Sequence, residues 1–115
     1  MNARVPSQVL QPELALQRVS QAWDSDIVRQ LTDYIAIPAK SPTFAADWAE
    51  LGLLDTVVRN AATWVESQKV EGLTLEIVRL EGRTPVLFFE IAATQPNATD
   101  TVLMYGHLDK QPEFS

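Results

Sequence analysis

Hydrophobic periodicity changes once along this 115-residue chain, just before Leu73, and that change orders what it can fold into: helices first, strands afterwards. Leu14, Leu16, Val19 and Trp23 give a weak helical pattern over Glu13 to Trp23. Asp24 or Ser25 is placed to cap a second helix reaching about Ala36, with Ile27, Leu31, Tyr34 and Ile35 on one face. Pro38 and Pro42 close that helix and predict an extended loop from Ile37 to Thr43, since proline restricts the residue before it. Trp48, Leu51, Val58, Ala62 and Val65 predict a long third helix over about Ala46 to Lys69, interrupted by Gly52.

From Leu73 the period becomes two. Leu73, Leu75 and Ile77 alternate with Thr74, Glu76 and Val78 as a strand with one more polar face. Glu81-Gly82-Arg83 supplies a turn, and Val86 to Ala92 a second strand, so the pair predicts a hairpin. Gln95 to Asp100 reads as a loop, and Thr101 to Tyr105 as a third, buried strand that ends at Gly106-His107-Leu108-Asp109. This order predicts an α/β fold, a mixed sheet flanked by helices, in which sites form just outside the carboxyl ends of strands. Residues 1–12, with Pro6 and Pro12, read as a flexible lead-in, and 13–115 as one unit without repeats or a dividing linker. A fully apolar third strand needs a neighbour on each side, so the chain reads as the front part of a larger domain.

Charge and composition narrow the function classes. Fifteen acidic residues against nine basic ones give a net charge of -6, with the basic residues scattered, which argues against nucleic-acid binding. The absence of cysteine excludes a disulfide framework, a cysteine zinc finger and a thiol nucleophile. The first residues carry no apolar core of a secretory signal, and no run approaches the ~20 apolar residues that span a bilayer. The expectation is a soluble, cytoplasmic protein.

The single histidine, His107, follows the third strand and Gly106, with Asp109 two positions on. In an extended segment these two side chains point to the same side. A carboxylate there accepts a hydrogen bond from one ring nitrogen, fixes the tautomer and leaves the other nitrogen for a metal or a proton. A solvated His–Asp pair at a strand end has the same spacing, so spacing alone leaves both readings open. Trp23, Trp48 and Trp64 read as core anchors or as contacts to further parts of the fold rather than as a binding surface. Asn97-Ala98-Thr99 reads as a turn. Ser41 and Ser115 lack the triad order and nucleophile elbow of a serine hydrolase.

The string Val102-Leu103-Met104-Tyr105-Gly106-His107-Leu108-Asp109-Lys110-Gln111-Pro112 closely resembles the first metal-site motif of the M20 family of zinc metallopeptidases, which includes dipeptidases and acetylornithine-type deacetylases. Tyr34-Ile35-Ala36-Ile37-Pro38-Ala39-Lys40-Ser41-Pro42 is similar to that family's helix exit, with Ala39 and Lys40 in place of a small polar run. The resemblance spans about Asp24 to Pro112. It implies the N-terminal portion of a zinc-peptidase catalytic domain, with His107 as a ligand of one of two zinc ions and Asp109 as the carboxylate that orients it and is counted as catalytic. It further implies a small peptide or N-acyl amino acid as substrate and a homodimeric parent. The bridging Asp, the general-base Glu and the remaining ligands expected of the family match no position here. Catalytic zinc takes about three protein ligands and a water, so these 115 residues are expected to be inactive by themselves. The competing expectation is a non-catalytic, truncated chain whose exposed sheet edge and apolar surfaces pair with another chain.

Overall fold

A computed structural model describes residues 9–114 and divides the chain into two compact units, Met1–Ala36 and Ile37–Ser115. Most of the expected lead-in lies outside the described residues; Val9 and Leu10, which do not, are non-helical and exposed.

In the first unit, α1 spans Pro12–Ala22 with proline in its first turn, where a missing N–H loses no hydrogen bond. The predicted break and cap at Asp24 or Ser25 do not form. Trp23–Ile27 instead makes a π-helical turn that leads directly into α2, Val28–Ala36. Ser25 shows why: its hydroxyl donates back to the Gln21 carbonyl at 2.8 Å, four residues earlier, instead of taking an N–H ahead of it. Leu16, Val19 and Trp23, followed by Val28, Leu31 and Ile35, place a line of exposed apolar side chains along the helix.

The second unit holds the buried side chains. Gly52 divides the predicted third helix into a short α3, Trp48–Leu51, and a longer α4, Leu53–Ser67. With φ +67° and ψ 9°, Gly52 sits in the left-handed region, donating its N–H to the Trp48 carbonyl (3.2 Å) while its own carbonyl accepts from Thr56 N–H (3.1 Å). It therefore ends α3 and starts α4, the backbone state glycine adopts at least strain. Leu54, Val57, Val58 and Ala62 form the buried stripe of α4, and Ala39 from the preceding loop is buried as well.

The chain leaves α4 through Lys69, which also has a positive φ, and enters β1, Leu73–Val78. β2, Val86–Ile91, pairs with it antiparallel, with Leu73 opposite Ile91, Leu75 opposite Phe89 and Ile77 opposite Leu87. Both strands pack against α4. Leu73, Leu75 and Ile77 are half-buried, and the intervening Thr74 and Glu76 are exposed, as the alternation predicts. Beyond β1, Arg79 reaches Asp55 of α4, with Nε at 3.1 Å and Nη2 at 2.5 Å from Oδ1. Arg59, one turn along α4, holds Oδ2 at 2.8 Å.

The fold thus combines helices with a small sheet, but among the described residues the sheet has two antiparallel strands and is not mixed. The predicted third strand is not formed: Thr101 to Tyr105 pairs with neither β1 nor β2. Val102, Leu103, Met104 and Tyr105 are 86%, 89%, 87% and 92% exposed. A strand exists only through a ladder partner, and no described segment supplies one on that side. One isolated parallel bridge, Lys40 to Lys110, joins the loop after α2 to the segment after Asp109. No helix among the described residues is long and apolar enough to cross a membrane.

Candidate metal-ligand site

His107 and Asp109, singled out by spacing, do meet. His107 Nδ1 lies 3.1 Å from Asp109 Oδ1 and 3.0 Å from the Asp109 carbonyl oxygen. Both partners are acceptors, so Nδ1 is the donor, and in the neutral ring the lone pair is then on Nε2. This is the arrangement in which an outer carboxylate fixes an imidazole for metal ligation. The His107 side chain is 68% exposed and that of Asp109 37%. The imidazole is therefore presented outward from a better-covered support.

That support comes from a place the spacing did not indicate. Lys110 N–H donates to the Ala39 carbonyl and Ser41 N–H donates to the Lys110 carbonyl, both at 2.9 Å. The Lys110 ammonium donates to the carbonyl of Ile37, which also accepts Ala39 N–H at 2.8 Å. Desolvation in this half-buried position holds the lysine below its usual pKa. A second cation closes the same contact: Lys40 Nζ stands 3.3 Å from Glu113 Oε2. The Glu113 carboxyl is pulled below its usual range, first by its own backbone N–H and then by Lys40.

The pair has the chemistry of a single metal ligand with its orienting acid. His107 offers one nitrogen with its orienting acid behind it, and no group of three or more His, Asp or Glu side chains converges among the described residues. Of the other residues singled out, Ser41 bonds the Lys110 carbonyl through its N–H. Trp23 is half exposed, and Trp48 and Trp64 are half-buried, so none of the three is a fully buried anchor. Asn97 lies in an exposed turn closed by Ala98 N–H on the Gln95 carbonyl. No protein-family model matches the chain, and no curated protein matches it significantly.

Proposed function

We propose that this chain is the N-terminal portion of a zinc-dependent hydrolase that cleaves peptide or amide bonds in small, dipeptide-like substrates. The reading is carried by one observation, the His107 imidazole whose Nδ1–H is held by both acceptors of Asp109 and whose Nε2 lone pair is left for a metal. The motif Gly106-His107-Leu108-Asp109-Lys110-Gln111-Pro112, with its resemblance to the M20 metallopeptidases, supports it. His107 would hold one zinc ion of a pair, and Asp109 would fix the tautomer and direction of that ligand. Bound zinc supplies Lewis-acid polarisation of the scissile carbonyl and a nucleophile at neutral pH. One imidazole neither completes the coordination nor provides a general base. The remaining ligands and the base belong to other parts of the enzyme.

The test compares the parent enzyme with its His107→Ala form in zinc-dependent dipeptide hydrolysis, alongside the 115-residue chain. Loss of activity in the variant and none in the short chain are expected. Hydrolysis that survives His107→Ala, or zinc-dependent hydrolysis by the short chain, refutes the reading. The exposure of Val102 to Tyr105 favours a second reading, a chain that pairs through its apolar segments with another chain and does no chemistry. Under that reading zinc leaves His107 untouched.

A further inference from the structure

Residue 110 meets the loop from Ile37 to Ser41 through three of its own groups: its N–H, its carbonyl and its ammonium. Between those contacts lies Ala39, only 1% exposed, so the junction is packed as well as hydrogen-bonded. Upstream of His107, in contrast, Val102 to Tyr105 stand in solvent and belong to no strand. The imidazole is thus anchored from its carboxyl-terminal side, where Asp109 is the immediate neighbour of the clamped lysine. Any residue but proline makes the two backbone contacts. The third needs a long side chain that ends in a donor.

We infer that Lys110 is a positioning residue for His107: its ammonium, seated on the Ile37 carbonyl, holds both Asp109 acceptors against Nδ1–H and so keeps Nε2 directed outward. The inference rests on the reading of His107 as a zinc ligand. Its physical basis is reach. Without the ammonium, residue 110 keeps its backbone bridge but loses the contact that fixes its side of the turn, and the neighbouring carboxylate gains freedom to leave the ring.

His107 is the only histidine of these 115 residues, so its two ring nitrogens give unambiguous ¹⁵N signals in the 115-residue chain. The wild type is expected to show the Nδ1–H tautomer, with the Nε2 signal moved by added Zn²⁺. Lys110→Met, which keeps the apolar stem, is expected to give mixed tautomers and a zinc midpoint about tenfold higher, the lower end of the range for losing an outer partner. Lys110→Arg is expected to restore both. A wild-type tautomer and midpoint in Lys110→Met overturn the inference. So does loss of the hairpin amide protection in both Lys110→Met and Lys110→Gln, which would make the lysine a general fold element. If Zn²⁺ leaves the wild-type Nε2 signal unmoved, the ligand reading of His107 fails, and the tautomer comparison still decides what Lys110 does to the ring.

Discussion

Replacing Gly52 by alanine has opposite expected signs in two architectures, which makes it the sharpest test of the second unit. In one uninterrupted helix over about Ala46 to Lys69, Gly52→Ala would be a helix-interior substitution and would stabilise by about 1 kcal/mol. In the structure Gly52 has φ +67° and joins two helices. An L-residue held there costs about 1–2 kcal/mol. Reduced freedom of the unfolded chain returns about 0.4–1 kcal/mol of that. The added Cβ meets nothing within 4 Å, so no clash enters. The net expectation is a destabilisation of about 0.8 kcal/mol, the middle of a span of about 0–1.6 left by these opposing terms. Gly52→Asn should fall between the two, since asparagine tolerates the left-handed state. Urea unfolding followed by far-UV circular dichroism measures the difference, and amide exchange at Thr56, whose N–H bonds the Gly52 carbonyl, localises it. An alanine variant more stable than the wild type would refute the jointed helix.

Two further outcomes follow from the same unit. Val57 is 2% exposed, and Val57→Ala should destabilise by about 2 kcal/mol in urea unfolding, the loss of two buried methyl groups plus a partly relaxed cavity. The Asp55 carboxyl is held below its ordinary value of 3.8, first by the Arg79 hydrogen bond and further by the charges of Arg79 and Arg59. Its contribution is therefore fully present above about pH 4 and lost as pH falls through the lowered folded value. With its side chain a third exposed, water screens the pair, and Asp55→Asn should cost only about 0.5–1 kcal/mol at neutral pH. Stability measured against pH should show a shallower acid limb in that variant; an unchanged limb would mean the ion pair contributes nothing to folding.

What was legible in the sequence is what local spacing decides. The hairpin follows from period-two alternation around Leu75 and Ile77, and its register pairs the apolar positions of both strands. The His107–Asp109 contact follows from two side chains on one side of an extended segment. Thr101 to Tyr105 has the composition of a buried strand, but burial belongs to its partner as much as to itself, and composition does not supply one. The Lys110 clamp was out of reach for a different reason. Its donor and acceptor stand 73 residues apart, and nothing in a lysine beside an aspartate signals a distant carbonyl. Nor did Asp24 or Ser25 reveal the π turn, because a good capping residue and a residue that bonds backward look alike in sequence.

That π turn has a consequence for how the first helix tolerates changes in length. Along the apolar line the steps from Leu16 through Val19, Trp23, Val28 and Leu31 to Ile35 are three, four, five, three and four residues. A five-residue step in a plain α-helix would turn Val28 about 140° away from Trp23. The wider turn at Trp23–Ile27 absorbs the surplus residue and returns the second half to phase with the first. The segment therefore behaves as an α-helix carrying a one-residue insertion. Deleting Ser25 should convert it to ordinary helix with the apolar line intact, whereas a further insertion at the same place would rotate Leu31 and Ile35 out of line with Trp23.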